Sequence, residues 1–163
     1  MRSDYIFAVL LFIPLAVIQL TLVPWLSYNQ VGPDLILILL VFYTLRVGQL
    51  GGTILGFIFG LAFDLISGTI LGSAMFTKTL SGFLTGYFYN ENKVEQNIHS
   101  LSLLLIVFLI GTVDSIIYSF FGNTNTGSTS ILIMFFMQGL LPGLYSSVLA
   151  LPLVVFYTKK MFA

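Results

Sequence analysis

Three ionisable side chains lie inside apolar segments of this sequence. Asp64 falls in the run GGTILGFIFGLAFDLISG at residues 51–68, Lys78 falls in the next apolar segment, and Asp114 falls in a later one. An isolated charge costs roughly 2.5–3.5 kcal/mol at the centre of a membrane helix, so such residues usually face inward, pair and mark a functional site. Two aspartates could share a proton as an acid–base pair. An aspartate and a lysine could instead form an ion pair, or a substrate or proton site.

The composition indicates that these charges lie in a membrane. Of 163 residues, 58% are hydrophobic and 7% are charged, with a mean hydropathy of +1.04, whereas a soluble domain carries about a quarter charged residues. The apolar runs are continuous, which favours helices over the alternating strands of a membrane barrel. The net charge of zero leaves no basic footprint for nucleic acid. The lack of cysteine excludes thiolate metal sites and disulfides, and we expect neither a metal nor a cofactor.

The turn residues divide the chain into six predicted transmembrane helices, in an all-α integral membrane protein with a single membrane domain over residues 1–163. The second helix begins at Pro33 and Asp34, where Asp34 complements the helix dipole. It is only about 20 Å long, so we expect it to lie obliquely, to thin the bilayer or to be partly re-entrant. Pro142 and Pro152 are expected to kink the last helix. The six predicted helices cover approximately residues 5–26, 33–46, 49–67, 70–89, 98–121 and 130–158.

The basic residues predict the orientation of these helices. Six spans place five of the six Lys and Arg residues on one side of the membrane, while the predicted loops on the other side contain none. Cytoplasmic loops are the ones enriched in basic residues, so both termini are predicted to be cytoplasmic. The five residues are Arg2, Arg46, Lys93, Lys159 and Lys160, and the opposite loops cover approximately residues 27–32, 67–69 and 122–130.

Glycine recurs at every fourth position in the third and fourth predicted helices. This GxxxG spacing lets a neighbouring helix backbone approach closely in lipid. The glycines are Gly52, Gly56 and Gly60 in the third helix, and Gly82 and Gly86 in the fourth. If the two helices form a hairpin about residue 69, Gly52 faces Gly86, Gly56 faces Gly82 and Gly60 faces Lys78.

Asp64 is the next fourth position after Gly60, so it should face a neighbouring helix rather than lipid. Helical side chains lean toward their own N-terminus, so Lys78 and Asp64 converge in an antiparallel hairpin. We therefore predict an ion pair between Asp64 and Lys78, which Asp114 could share. The alternative is that Asp64 is hydrated near the membrane surface and that Asp114 only bonds a hydroxyl group.

Three classes of function remain in consideration. An enzyme is disfavoured because intramembrane aspartyl proteases carry a GxGD signature, whereas Asp64 follows Leu61, Ala62 and Phe63. The sequence also has no HExxH or GxSxG motif and no Cys/His pair. A transporter would use the charges as a substrate or proton site, whereas an assembly protein would use them as internal struts. Composition does not decide between these two.

The region from residue 19 to residue 87 resembles the rod shape-determining protein MreD family. Its block GGTILGFIFGLAFDLISGTILG fits the family pattern G-x-x-x-G-F-x-x-G-L-x-x-D followed by a glycine-rich turn. The ending LLPGLYSSVLALPLVVFY resembles the family's last helix, although Ser146 and Ser147 stand where the family often has an asparagine. The matching positions are Gln19, Pro33, Asp34, Phe57, Leu61, Gly72, Pro142 and Pro152.

This resemblance implies a non-catalytic subunit of the bacterial cell-wall elongation machinery. Such a subunit lies in the cytoplasmic membrane and is needed for rod shape and side-wall peptidoglycan synthesis. The resemblance also implies direct binding to the single-span protein MreC. Through MreC it implies association with the actin-like MreB, a RodA-type glycosyltransferase and a penicillin-binding transpeptidase. The residues leave open whether the protein also forms a homodimer.

The resemblance further implies a fold similar to the substrate-binding S component of energy-coupling-factor vitamin transporters. An S component is therefore the alternative function. Those subunits carry a small-xxx-small patch on the first helix that docks the coupling subunit. Here Ala8 is followed four places later by Phe12, and Ala16 by Leu20. The missing patch favours the cell-wall function.

Overall fold

The computed structural model describes residues 2–27, 32–91, 94, 101–122 and 135–161. The regular elements in these ranges are all helical. Lys93, most of the predicted loop at 122–130 and the side chains of Arg2, Lys159 and Lys160 lie outside the described part, so the orientation remains a prediction. A 3-10 turn (Gly86–Phe88) follows α5, and a π-helical segment (Phe136–Leu140) precedes α7. The helices are α1 (Arg2–Thr21), α2 (Val23–Leu26), α3 (Leu35–Val47), α4 (Gln49–Ser67), α5 (Ser73–Thr85), α6 (Leu101–Gly122) and α7 (Leu141–Met161).

The first predicted helix is divided into α1 and α2 at Leu22. Pro24 lies at the start of α2, and its ring removes one backbone donor and clashes with the preceding turn, which ends a regular helix. Helix α2 then begins, and the Trp25 and Leu26 N–H groups both donate to the Leu22 carbonyl oxygen, at 3.1 and 3.4 Å. The predicted helix at 49–67 has the bounds of α4, whereas the one predicted at 70–89 starts later, at Ser73.

The short helix α3 lies at the centre of the molecule. Every residue from 36 to 45 is buried, and α3 contacts α1, α4, α5, α6 and α7. A helix that is apolar on all sides is expected to be a core helix. This burial does not test whether α3 lies obliquely, thins the bilayer or is partly re-entrant, so these three stay predictions. Because other helices cover α3, its length does not have to match the thickness of the bilayer.

Two local devices set the ends of α3. At its start, the Asp34 side chain accepts a hydrogen bond from the Leu37 backbone N–H at 2.9 Å, as an N-cap residue does. At its end, Gly48 has a φ of 87° and donates to the Thr44 carbonyl oxygen. This backbone conformation favours glycine. The chain then turns directly into α4, which packs against α3 through Gly52 and Thr44.

Helices α4 and α5 form the predicted glycine-lined hairpin, but its register differs from the prediction by about one helical turn. Gly82 packs on the backbone of Gly52, Gly56 on that of Lys78, and Gly60 on that of Ala74. The physical reason lies in the turn. Gly68 and Gly72 adopt left-handed conformations with φ of 67° and 100°, and α5 begins only at Ser73, beside the Asp64 carboxylate.

Helices α6 and α7 form a second close pair. A Cβ atom on Gly111 would lie 3.3 Å from the Cα atom of Gly143, and Gly143 also lies against the Phe108 carbonyl group. The predicted kink at Pro142 coincides with the change from the π-helical segment to α7. At Pro152, by contrast, α7 continues without a break.

Several of the described helices suit a membrane by length and composition. Gln49–Ser67 and Ser102–Phe121 are each long and apolar enough to cross a bilayer, and Tyr5–Thr21 and Leu35–Val47 are shorter apolar helices. On α1, Ala8, Phe12 and Ala16 form the buried face. The Phe12 ring stacks on that of Phe59 with centroids 4.8 Å apart.

The glycine contacts predict a large effect of a bulky residue at the hairpin interface. In Gly56→Leu, the new side chain would overlap the Lys78 carbonyl group, and backbone moves less readily than a side chain. We expect the free energy of unfolding to fall by about 3 kcal/mol, the upper end of the usual cost of overpacking. Unfolding by increasing SDS fraction in mixed micelles measures this change. Ile54→Leu, on the exposed side of the same helix, is the matched control and should be neutral, and equal stability of both variants would contradict the packing.

Candidate functional site

A buried ion-pair cluster joins three helices at the start of α3. Lys78 Nζ on α5 lies 2.6 Å from Asp34 Oδ2 and 2.6 Å from Asp114 Oδ2 on α6. The side chains of Lys78 and Asp114 are each 4% exposed, and that of Asp34 is 26% exposed. One lysine therefore pairs with two carboxylates that come from distant parts of the sequence. We call these three residues the charge cluster.

The predicted ion pair between Asp64 and Lys78 is wrong. The structure pairs Lys78 with Asp34 and Asp114, so Asp114 does bond this lysine, but it shares the lysine with Asp34 and not with Asp64. The prediction assumed a hairpin pivot at residue 69 and overlooked Asp34 as an ionic partner. In the observed register, Asp64 lies at the N-terminus of α5 and its carboxylate is occupied there.

Each carboxylate of the charge cluster has a second donor. Asp34 Oδ1 accepts from the Leu37 N–H, so the N-terminal end of α3, with its partial positive charge, helps to stabilise the Asp34 anion. Asp114 Oδ1 accepts from the Ser81 hydroxyl group at 2.8 Å, one turn after Lys78 on α5. These contacts offset the cost of holding charges away from water, which is acceptable only when the charges are paired and hydrogen-bonded.

Two further side chains fix the backbone that carries Asp34. Gln19 on α1 donates from Nε2 to the Pro33 carbonyl oxygen at 3.0 Å and accepts at Oε1 from the Leu35 N–H at 2.9 Å. Ser146 Oγ on α7 accepts from the Asp34 N–H at 2.9 Å. Irregular backbone at membrane depth needs such partners because lipid supplies none. Through them, α1 and α7 are tied to the same point as α3, α5 and α6.

Asp64 forms a separate network that closes the turn between α4 and α5. Its buried carboxylate accepts hydrogen bonds from three backbone N–H groups, those of Gly72 at 2.9 Å and of Ala74 and Met75 at 3.0 Å. The hydroxyl groups of Thr69 and Ser73 also donate to it, each at 3.3 Å. Asp64 thus satisfies the free donors at the start of α5 and is a structural cap, not a hydrated surface residue.

This arrangement is suited to holding helices together. The two aspartates that an acid–base pair would need, Asp64 and Asp114, lie in different hydrogen-bond networks. Within the described residues, no group of three His, Cys, Asp or Glu side chains is placed to hold a metal ion. The carboxylates of the charge cluster are bonded to groups of the chain itself, and this favours an internal strut.

Sequence reasoning missed part of this site. It identified Asp34 only as a residue that complements the helix dipole, and it assigned no role to Ser81. It noted only that Ser146 and Ser147 stand where the family often has an asparagine, and it did not predict the contact of Ser146 with Asp34. One signal was available: an aspartate that opens a helix too short to span the membrane is itself close to the membrane interior, where it needs a partner.

A family model for rod shape-determining protein MreD matches residues 1–160 of the chain. The chain belongs to the MreD family. It is therefore a non-catalytic membrane component of cell-wall elongation, and the enzyme alternative is excluded. Comparison with curated proteins gave no match, and comparison with solved structures gave none either.

The positions that carry the MreD resemblance have different surroundings in the structure. Gln19, Pro33 and Asp34 meet at the charge cluster, and Gly72 lies in the Asp64-capped turn. Phe57, by contrast, is exposed on α4, and Leu61 is partly buried. Pro142 and Pro152 lie on α7, on either side of Ser146. The family pattern therefore includes residues from both polar networks, the one around Asp34 and the one around Asp64.

The charge cluster predicts that removal of its cation alone lowers the free energy of unfolding more than removal of all three of its charges. In Lys78→Met, two carboxylates are left without their counter-ion, and we expect a loss of about 3–5 kcal/mol in the free energy of unfolding. The triple variant Asp34→Asn, Lys78→Met, Asp114→Asn should recover much of this loss. SDS titration in mixed micelles measures both. Phe76→Met, an exposed neighbour on α5, is the control. A Lys78→Met variant within about 0.5 kcal/mol of the parent would contradict the pairing.

Ser146 gives a second, smaller prediction. Ser146→Ala leaves the Asp34 N–H without its acceptor, which costs about 1–3 kcal/mol when a buried donor loses its partner. Ser146→Asn supplies a side-chain oxygen at the same place and should retain more stability than the alanine variant. Ser147→Ala is the matched control, since the Ser147 hydroxyl bonds only within its own helix, to the Leu144 carbonyl oxygen. Equal loss in the Ser146 and Ser147 alanine variants would show that the contact to Asp34 contributes nothing.

Proposed function

We propose that this MreD-family protein is the multi-pass scaffold of the cytoplasmic membrane that binds MreC directly. Through MreC it associates with MreB, a RodA-type glycosyltransferase and a penicillin-binding transpeptidase. The observation that carries the proposal is the family match over residues 1–160. We further propose six membrane spans in one domain with both termini in the cytoplasm, in which α1 and α2 together form the first span. A homodimer remains compatible with this arrangement.

The geometry of the charge cluster supports a scaffold. A scaffold must present a fixed outer surface, and here the polar groups inside the molecule bond to one another and join five helices at one point. Gly56 and Gly60 of α4 and Gly82 of α5 pack on the backbone of the facing helix, whereas Gly52 lies against Thr44 of α3. We infer that partner binding depends on the glycines through the shape of the hairpin and not through direct contact.

The S component of a vitamin transporter is the second candidate function. A docking patch of small residues on the first helix would have to face outward to reach a coupling subunit. Here Ala8 and Ala16 are both fully buried within the chain, with Phe12 between them. This burial favours the scaffold over the transporter subunit. The sequence lacks the docking patch, and the structure adds that the two alanines of the first helix face the protein's own core.

The two functions are separated by depletion in a rod-shaped bacterium that carries this protein. For the scaffold, we expect depleted cells to lose rod shape and to spread wall synthesis away from the side wall, while vitamin requirements stay unchanged. Fluorescent labelling of new peptidoglycan and growth on defined medium measure the two outcomes. Vitamin auxotrophy with normal shape would contradict the scaffold and support the S component.

MreC binding is tested by co-purification with tagged variants of this chain. Gly60→Leu should splay α4 and α5, since a Cβ at this position already meets the Ala74 and Met75 backbone, and MreC recovery should fall severalfold. Ile58→Leu, on the exposed side of α4, should recover MreC as the parent does. Membrane levels of both variants are measured by immunoblot, so that loss of binding is not confused with loss of protein. Full MreC recovery with Gly60→Leu would show that the hairpin shape is not needed.

A further inference from the structure

Two buried donors beside Asp34 have no acceptor among the residues that the structure describes. The Lys78 ammonium group carries three N–H bonds, and two of them are taken by Asp34 Oδ2 and Asp114 Oδ2. The Ser146 hydroxyl accepts from the Asp34 N–H, but its own hydrogen is donated to no described group. Lys78 is 4% exposed and Ser146 is 1% exposed, so neither donor faces the outer surface.

The Ser146 side chain is turned away from its own helix. In a membrane helix, a serine or threonine hydroxyl commonly donates to a carbonyl group of the preceding turn. The Ser147 hydroxyl does so with Leu144 at 2.8 Å, and the Thr112 hydroxyl does so with Phe108 at 2.7 Å. Ser146 makes no such bond within the described part of α7. Its oxygen instead lies 2.9 Å from the Asp34 backbone nitrogen on α3, so the hydroxyl points toward the charge cluster.

Donors of this kind need a partner. A buried donor that lacks an acceptor carries the full cost of its removal from water, and this cost is larger for a charged group such as an ammonium. The large majority of buried polar atoms in proteins are therefore bonded, either to protein or to ordered water. Since the described residues offer these two donors no acceptor, we expect the acceptor to come from outside them.

The two donors lie on opposite sides of a single residue. Lys78 Nζ is 2.6 Å from the Asp34 carboxylate, and Ser146 Oγ is 2.9 Å from the Asp34 backbone nitrogen. Asp34 is also the most exposed member of the charge cluster, with 26% of its side chain accessible. A small molecule can therefore reach this point from the surface past Asp34.

The groups around this point determine the chemistry of the molecule that binds there. It has to accept hydrogen bonds from Lys78 and Ser146. It can also donate to Asp34, because a carboxylate oxygen that is bonded once has a second lone pair. The carboxylates of Asp34 and Asp114 repel an anion, and the Lys78 ammonium repels a cation. A neutral oxygen that carries hydrogens meets all of these conditions.

We propose that an ordered water molecule binds beside Asp34, where it accepts hydrogen bonds from Lys78 Nζ and Ser146 Oγ and donates one to the Asp34 carboxylate. Three bonds are typical of a buried water in a protein. The water closes a ring of hydrogen bonds that joins α3, α5 and α7, and it exchanges with solvent past the exposed side of Asp34. The internal frame of the protein therefore includes a solvent molecule.

A crystal structure of the purified protein, at a resolution that shows ordered water, tests this site. We expect one isolated density peak at roughly 2.7–3.2 Å from both Lys78 Nζ and Ser146 Oγ, the range of ordinary hydrogen bonds. The Ser147 hydroxyl, which already donates within its own helix, is the internal comparison. Absence of the peak would overturn the proposal. Extended density would also overturn it, in favour of a larger ligand.

A second measurement examines the same contact in lipid. The variant Lys93→Arg, Lys159→Arg, Lys160→Arg retains Lys78 as its single lysine, so isotope-labelled lysine gives one ammonium signal in nanodiscs. We expect a rotating-frame Overhauser cross peak between this signal and water, severalfold above the noise and opposite in sign to chemical exchange. Cross peaks to neighbouring side chains without one to water would overturn the proposal, because they would show a dry lysine.

Discussion

The interaction between Lys78 and its two carboxylates is the constraint on which the rest of the structure depends. A lysine in the membrane interior must be neutralised, and its two partners lie on α3 and α6, 44 and 36 residues away. Asp34 can reach it only if α3 begins at the level of Lys78, which makes α3 short and central. Gln19 then bonds to the backbone on either side of Asp34, and Ser146 accepts from the Asp34 N–H. These contacts bring α1 and α7 to the same place.

The second constraint is the close approach of α4 and α5, which places Lys78 correctly. Glycine at positions 56, 60 and 82 allows backbone contact, and Asp64 fixes where α5 starts by accepting its first N–H groups. The two constraints are coupled through α5, because a different start of this helix would rotate and shift Lys78 away from Asp34 and Asp114. A fixed internal frame of this kind suits a non-catalytic subunit of an assembly.

Much of this fold could be predicted from the sequence, because apolar runs and turn residues are local signals. The bounds of α4, the glycine hairpin, the inward placement of Asp64, Lys78 and Asp114, and the MreD family were all correct. The partner of Lys78 could not be found in this way. A shift of one turn in the hairpin exchanges one carboxylate for another, and the register depends on where Asp64 caps α5. The break at Leu22 was missed although Pro24 is visible in the sequence, since proline is also tolerated in membrane helices.

The most direct test of this account is a set of double-mutant cycles that compares the partners of Lys78. Free energies of unfolding are measured for Lys78→Met, for Asp114→Asn, Asp34→Asn and Asp64→Asn, and for each double variant with Lys78→Met. We predict coupling energies of about 0.5–3 kcal/mol between Lys78 and both Asp34 and Asp114, the range for residues in contact, and additivity within about 0.5 kcal/mol for Asp64. Coupling of Lys78 to Asp64 that exceeds its coupling to Asp34 and Asp114 would show that Lys78 is not held by Asp34 and Asp114.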